Sequence, residues 1–218
     1  MTFSFDKVNN CHNSVKFLGI LVESSLGWTS HVEMISKRIV TGIFMLRILK
    51  LSVDTKTLIN VYYAYIHSHL SYGTLIWGNH SSALHLFKLQ KKALRIICNE
   101  DTTAHCRPLF FQLNILSLPS IYVLQCLLYI KSNFLNLNFN NQIHEHYTRN
   151  TDAIRNDFCK FSTTQKNIFY MAIKLFNALP QLIKTLELNQ FKKIVKRNLL
   201  LHSIYTIDEY FTSVNNFK

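Results

Sequence analysis

Four basic side chains recur along one short stretch of the chain, and their chemistry suits phosphate binding. They are Lys88, Lys91, Lys92 and Arg95, at positions i, i+3, i+4 and i+7. On a helix this spacing places all four on one face. Four like charges repel one another on an isolated helix, and a bound polyanion offsets that repulsion. The stretch therefore favours contact with a phosphate backbone, although a fully solvated face would also tolerate it.

Two further groups of basic residues lie outside the apolar stripes of predicted helices. The candidates for nucleic-acid contact are Lys37, Arg38 and Arg47 in one group and Lys192, Lys193, Lys196 and Arg197 in the other. Between Met34 and Asn99 the only acidic residue is Asp54. The whole chain has 24 Lys and Arg against 12 Asp and Glu, a formal net charge of +12. Such an excess attracts polyanions, either nucleic acid or an acidic membrane surface.

Carboxylates that could hold metal ions for catalysis are few in this sequence. Glu100–Asp101 and Asp208–Glu209 are the adjacent acidic pairs, and both fall in predicted loops or at helix ends. Neither follows a strand and a turn that would present two metal ions to a phosphate. We therefore expect these pairs to be surface charges.

Histidine and cysteine clusters also lack the spacing of a metal site. His144 and His146 form one cluster, and Cys98, His105 and Cys106 form another, without the paired spacing of structural zinc ligands. No G-x-S-x-G, P-loop or other Gly-rich phosphate-binding pattern occurs. The sequence predicts no metal, no cofactor, no small-molecule substrate and no self-contained active site.

Composition favours an intracellular protein, in the nucleus or the cytoplasm. The chain has 218 residues, 48% of them apolar, and contains no apolar run of roughly 18 residues that would span a membrane. Its first residues lack the pattern of a signal peptide. The five cysteines are odd in number and scattered, which is typical of reduced thiols. We expect no membrane partner.

The elements that must position the basic residues are mostly helices. One strand, Val15–Val22, is apolar on both faces and is predicted to be buried on both sides. The S-x-x-E spacing of Ser30 and Glu33 predicts a capping box at the start of the first helix. The buried stripe of that helix is predicted to comprise Val32, Ile35, Ile39, Ile43, Leu46 and Leu49.

Further helices follow from periodicity and from turn residues. A second helix is predicted to start near Ser52 or Asp54. The helix with the four basic residues is predicted to start at Ser81 or Ser82. Its apolar stripe is predicted to comprise Leu86, Leu89, Ala93 and Ile96. Pro108 and Pro119 mark first helical turns. An Asn- and His-rich stretch reads as a loop, and Pro180 ends the next helix. Asn189 is predicted to cap the last helix, with Phe191, Ile194, Val195 and Leu199 inward.

Several segments, taken in order, resemble the C-terminal part of reverse transcriptases from LINE-type (non-LTR) retrotransposons, the jockey-like group especially. The opening segment "SVKFLGILVESSLGWTSHV" resembles the strand ending in F/Y-L-G, the hairpin and the W-x-x-H that close the palm of those enzymes. The later segments that match in order are "YYAYIHSHLSYGTLIWGN", "LFKLQKKALRIIC", "FFQLNILSLPSIY", "HYTRN", "LFNALPQLIK" and "NQFKKIVKRNLL". Together they cover residues 15 to 205.

The resemblance implies a mainly α fold and a division of the chain into four segments. Residues 1–29 would be a β-hairpin from the edge of the palm, and residues 30–135 a helical, thumb-like bundle. Residues 136–163 would be a linker and residues 164–218 a C-terminal helical segment. The thumb of such enzymes is a clamp on the template–primer duplex, and this implies non-specific contact with the phosphates of an RNA–DNA hybrid or duplex. Phe17, Leu18, Trp28, Tyr72 and Trp77 are expected to be core or hairpin-packing residues.

The chain departs from the family at the polymerase site. The Tyr-x-Asp-Asp turn that holds the metal ions does not occur in this sequence. The resemblance therefore implies a fragment of an RNA-directed DNA polymerase that lacks the catalytic palm, with no catalytic residue and with residual duplex binding. A different class remains open, a helical protein-interaction or structural module with no nucleic-acid role.

Overall fold

The computed structural model of the chain describes residues 14–25, 27–134, 137, 139, 153–156, 159–160 and 168–217. It begins with an antiparallel hairpin of β1 (Ser14–Phe17) and β2 (Ile20–Glu23). Leu18 and Gly19 form the turn, with φ of 46° and 80°. Positive φ at both central residues is typical of the tight turns that match strand twist. The predicted continuous strand Val15–Val22 is therefore two short strands.

The first strand and the turn of the hairpin leave their apolar side chains in solvent, whereas Ile20, Leu21 and Val22 of β2 are half-buried. Val15 and Phe17 are each 66% exposed and Leu18 is 73% exposed. The prediction of a strand buried on both faces is wrong, and Phe17 and Leu18 are not core residues. The reason is that, among the described residues, no third strand or covering helix lies on these side chains.

A few specific contacts attach the hairpin to the helices. The Leu21 N–H donates to Nδ1 of the buried His31 at 3.2 Å, and the Tyr72 hydroxyl donates to the Leu18 carbonyl at 2.6 Å. Ile20 packs closely against Gly73, whose φ of 63° suits glycine. Tyr72 is itself exposed, whereas Trp28 is half-buried and Trp77 is fully buried as expected.

Helix α1 (Thr29–Leu49) carries the predicted apolar stripe. Val32, Ile35, Ile39, Ile43 and Leu46 are all buried, and Leu49 is partly buried, which confirms that prediction. The predicted capping box is wrong. Ser30 lies inside the first turn, and its N–H bonds to the side chain of Glu23 on β2 instead. The side chain of Glu33 is exposed.

The next helical stretch starts where the sequence predicts and changes pitch in its middle. The Asp54 side chain accepts the Thr57 N–H at 3.1 Å and caps α2 (Thr55–Tyr62). The chain continues as a π-helical turn (Tyr63–His67) into α3 (Ser68–Ser71), and α4 (Thr74–Trp77) follows Gly73.

Helix α5 (Ala83–Cys98) carries the four basic residues of the first motif. Its buried face comprises Ala83, Leu86, Phe87, Gln90, Ala93, Leu94 and Ile97. Leu89 and Ile96, which were predicted to face inward, are only half-buried. Ser82 flanks the helix, but its side chain makes no capping bond. The buried face is therefore rotated from the predicted stripe.

The remaining helices follow the proline signals. Pro108 and Pro119 lie in the first turns of α6 (Arg107–Gln112) and α7 (Leu118–Ser132), as predicted. The C-terminal elements are α8 (Ile168–Asn177), α9 (Gln181–Lys184), α10 (Leu188–His202), α11 (Ile207–Ser213) and a 3₁₀ turn (Val214–Asn216).

Helix α10 starts earlier than its predicted cap. Glu187 flanks it, so Asn189 lies inside the helix and not at its cap. Phe191, Val195 and Leu199 are buried as predicted, whereas Ile194 is half-buried.

One cluster of buried apolar side chains runs from α1 to the C-terminal 3₁₀ turn. Most of the predicted linker 136–163, including His144, His146 and the matching segment 146–150, lies outside the described residues. Within it, Ile154 is buried and exchanges two backbone hydrogen bonds with the Asn177 side chain, at 2.8 and 3.0 Å. The mainly helical fold with an N-terminal hairpin is confirmed, and the four-segment division stays a prediction.

Candidate nucleic-acid interface

Basic residues from two helices meet in one surface groove. Arg47 lies in the last turn of α1 and Lys50 directly follows that helix, while Lys88, Lys92 and Arg95 come from α5. The groove has a volume of about 570 Å³, and its other lining residues are Leu51, Ile96, Glu100 and Thr102. We call it the basic groove. It brings together residues that are more than forty positions apart in the sequence.

The packing of α1 on α5 explains how the groove forms. Leu46 of α1 and Ala93 of α5 are both completely buried in the common core. Arg47 follows Leu46 and therefore stands at the edge of the packed helices, while Lys88 and Lys92 are exposed one helical turn apart. The two apolar stripes thus leave the cations on the same side of the joined helices.

A buried glutamine holds α5 in its position. The Gln90 side-chain NH₂ donates to the Tyr62 hydroxyl and to the Leu116 carbonyl, each at 2.8 Å. Its carbonyl oxygen accepts the Leu118 N–H at 2.8 Å. Burial raises the pKa of Tyr62, so its hydroxyl stays protonated at neutral pH. One side chain thus ties α5 to α2 and to the start of α7.

Sequence reasoning missed Gln90, although a signal was present. A polar residue stands among Leu86, Phe87 and Leu94 on the apolar face of the helix. Such a residue needs hydrogen-bond partners when it is buried.

Lys91 is separated from the other cations of its motif. It is half-buried, and its Nζ lies 4.7 Å from the centre of the Phe87 ring and 5.2 Å from that of Tyr205. These cation–π contacts draw the side chain toward the C-terminal segment. Lys91 therefore does not line the basic groove.

Arg95 lines the groove and is also bonded to the chain. Its Nε donates to the Ala104 carbonyl at 2.9 Å, which fixes the guanidinium against the loop that follows α5. A fixed guanidinium is pre-organised for binding a phosphate, because it loses little side-chain freedom on binding.

Lys37 and Arg38 lie away from the groove. Both are exposed on the N-terminal half of α1. Burial is the main cause of a lowered pKa at His31 and at His69, and the positive charge of Arg38 lowers both pKa values further. Neither Lys37 nor Arg38 lines the basic groove, and Arg38 lies close enough to His31 and His69 for its charge to act on both.

The basic residues of α10 form a separate surface. Lys192, Lys193, Lys196 and Arg197 are exposed, and none of them lines the basic groove. Burial is the main cause of the lowered pKa of His67, and the positive charge of Lys196 is a smaller cause. Arg197 lines a different cavity of about 580 Å³, together with His202 and Phe217.

The cations of the basic groove form no ion pairs within the described part of the chain. None of its five cations forms an ion pair with a described carboxylate, and Glu100 is its one acidic lining residue. Arg107 and Glu209, whose Nη2 and Oε2 atoms are 2.9 Å apart, form an ion pair elsewhere. Lys50 was not among the predicted contacts, because it follows the end of α1 and periodicity assigns it no face.

The described residues give little support for a metal site or for a membrane-spanning helix. No group of three or more His, Cys, Asp or Glu side chains converges there as metal ligands would. No described helix has both the length and the apolar character needed to cross a membrane. Asp208 and Glu209 lie in the first turn of α11, where Glu209 accepts the Tyr205 N–H at 3.0 Å.

Comparison of the chain with protein-family models, with curated proteins and with solved structures gave no match. A functional assignment therefore rests on the sequence patterns of this chain and on the geometry of its described residues.

Proposed function

We propose that this chain binds the phosphate backbone of a nucleic-acid duplex through the basic groove, without reading the base sequence. The observation that carries the proposal is the convergence of five cations from α1 and α5 on one groove. Phosphate contacts position a duplex but carry no sequence information. The net charge of +12 adds a long-range attraction for any polyanion.

We further propose that the duplex is an RNA–DNA hybrid of the template–primer type. The support is the ordered resemblance of the sequence to the palm edge, thumb and C-terminal region of LINE-type reverse transcriptases. A mainly helical fold that begins with a hairpin is compatible with it. The Tyr-x-Asp-Asp turn does not occur in the sequence, so we assign this chain no polymerase chemistry. The scattered cysteines support our expectation that it acts in the nucleus or cytoplasm.

The test measures how hybrid binding depends on salt. Anisotropy of a fluorescent RNA–DNA hybrid is followed with the wild-type chain between about 50 and 200 mM salt. Each cation that contacts a phosphate steepens the plot of log affinity against log salt by about one unit. We expect the triple variant Arg47→Gln, Lys88→Gln, Lys92→Gln to flatten that slope by about three units.

A variant of equal charge provides the control. Lys192→Gln, Lys193→Gln, Lys196→Gln removes the same net charge from exposed positions on α10. We expect a smaller loss of slope there, since those residues lie outside the groove. Equal losses in both variants, or wild-type binding that is indifferent to salt, would contradict the proposal.

A second candidate function is self-association through the hairpin, in a module with no nucleic-acid role. The observation that favours it is the exposure of Val15, Phe17 and Leu18 on a sheet in which no third described strand pairs with β1 or β2. Open strand edges pair with other strands. Oligomers that dissociate on Phe17→Ser, together with no hybrid binding at low salt, would favour this candidate.

A further inference from the structure

The solvent side of α1 carries a second row of apolar side chains. Val40, Phe44 and Ile48 follow one another at spacings of four residues on one side of α1, and Leu51 stands two residues beyond the end of that helix. Their side chains are 51%, 60%, 57% and 87% exposed. We call this row the α1 ridge. It is separate from the stripe that α1 buries in the core.

Exposure of this kind is unusual for a helix whose opposite face is already packed. Isolated surface apolar residues are normal and need no explanation. Three large ones on successive turns and a fourth just beyond the helix end form an apolar strip, and extended apolar surface marks sites of interaction.

The ridge is continuous with the basic groove. Leu51 ends the ridge and also lines the groove. Arg47 stands between Phe44 and Leu51 in the sequence and belongs to the groove, and Lys37 precedes the ridge by about one turn. The apolar strip therefore has cations beside it and beyond its ends.

We propose that the α1 ridge binds an amphipathic helix of an acidic partner protein. The apolar face of that helix lies on Phe44 and Ile48, and its carboxylates face Arg47 and the exposed cations of α5. Helices bind in this way through apolar residues at i, i+3, i+4 and i+7. An acidic flank complements the cations of the groove, which the described part of the chain leaves without ion pairs.

Charge decides between this occupant and the others. A second copy of the chain brings another +12 to the same surface, so its approach is repelled. A nucleic acid satisfies the cations but leaves Val40, Ile48 and Leu51 without an apolar partner. An acidic amphipathic helix satisfies both parts of the surface. The inference does not depend on the proposed duplex binding.

The probe is a synthetic fluorescent peptide of about 18 residues, or roughly five helical turns. It has leucines at i, i+4, i+7 and i+11 and glutamates along one flank, and its binding to the full chain is followed by anisotropy. Two control peptides keep the leucines with lysines in place of the glutamates, or keep the composition in scrambled order. Only the acidic, ordered peptide is expected to bind. Equal binding of the lysine peptide would overturn the charge argument.

Matched variants locate the binding site on the chain. Phe44→Ser and Ile48→Ser are each expected to weaken peptide binding at least tenfold, since central interface anchors carry most of the affinity. The controls Phe111→Ser and Leu182→Ser change side chains that are 58% and 84% exposed elsewhere, and they should leave binding unchanged. Unchanged binding by both ridge variants would overturn the proposal.

Two further measurements separate this inference from its alternatives. Sedimentation of the wild-type chain should show a monomer, and a dimer that Phe44→Ser dissociates would overturn the acidic partner in favour of a second copy. The ridge variants should retain hybrid binding, because they keep every cation of the groove. Loss of hybrid binding in Phe44→Ser would assign the ridge to the nucleic acid instead.

Discussion

Helices α5 and α10 have similar sequence patterns and different surroundings. Each carries basic residues three and four positions apart on one face and a buried apolar stripe on the other. On α5, Lys88 and Lys92 are joined by Arg47 and Lys50 of α1 in one groove. On α10, the residues Lys192 and Lys193 are exposed, and no second helix adds cations to them in a described cavity.

The difference shows what helical periodicity leaves open. Spacing assigns a residue to a face of its own helix, but the neighbouring helix decides whether that face becomes a groove or an open surface. The pairing of α1 with α5 depends on side chains far apart in the chain. A concentrated site for phosphates is therefore a property of the packed pair and not of the basic helix alone.

The largest expected effect tests whether α5 is held rigidly. Gln90→Leu removes three hydrogen bonds and leaves the buried Leu118 N–H and Leu116 carbonyl without that partner. We expect the free energy of unfolding to fall by about 3 kcal/mol or more, measured by urea denaturation. The exposed Gln112→Leu serves as control and should change it by less than about 0.5 kcal/mol. A loss below about 1 kcal/mol for Gln90→Leu would mean that α5 is fixed by apolar packing alone.

A smaller effect separates two neighbouring lysines of α5. Lys88→Gln should flatten the salt dependence of hybrid binding by about one unit, because Lys88 lines the groove. Lys91→Gln should leave the slope unchanged and lower the free energy of unfolding by about 0.5–1 kcal/mol, since its charge lies over Phe87 and Tyr205. If both variants flatten the salt dependence by the same amount, the Lys91 side chain moves away from these rings and contacts a phosphate of the duplex.

The smallest expected effect concerns Lys196 on α10 and the half-buried His67. Burial and the Lys196 charge lower the pKa of His67, so the folded protein favours the neutral imidazole. The stability that this contributes is present above the ordinary histidine pKa near 6.5 and is lost as pH falls from there to the folded pKa. Lys196→Gln should raise the His67 pKa, read from its imidazole NMR signals in a pH titration. Lys192→Gln should not, and an equal shift in both variants would place Lys196 away from the π-helical turn.

The sequence predicted those parts of the fold that local chemistry determines. The buried stripe of α1, the Asp54 cap and the prolines in the first turns of α6 and α7 all follow from residue type and spacing within one element. The predictions that were wrong depend on contacts between elements. Glu23 of the hairpin, and not Glu33, bonds to the start of α1, because the hairpin folds back onto that helix.

The candidate site was predictable only in part, for the same reason. Arg47, Lys88, Lys92 and Arg95 were singled out as cations on helix faces, and all four line the groove. Lys91 shares their periodicity, but Tyr205, more than a hundred residues later, draws its side chain away. Lys50 lies beyond the last turn of α1, where periodicity has no meaning.

Lysine footprinting of the wild-type chain with a bound RNA–DNA hybrid tests the account most directly. Acetylation by a mild reagent is quantified at each lysine by mass spectrometry, with and without the hybrid. Lys88 and Lys92 should become protected, while Lys192 and Lys193 on the equally exposed face of α10 should react as before in the same sample. Protection of the α10 lysines with Lys88 and Lys92 still reactive would contradict the assignment of duplex binding to the basic groove.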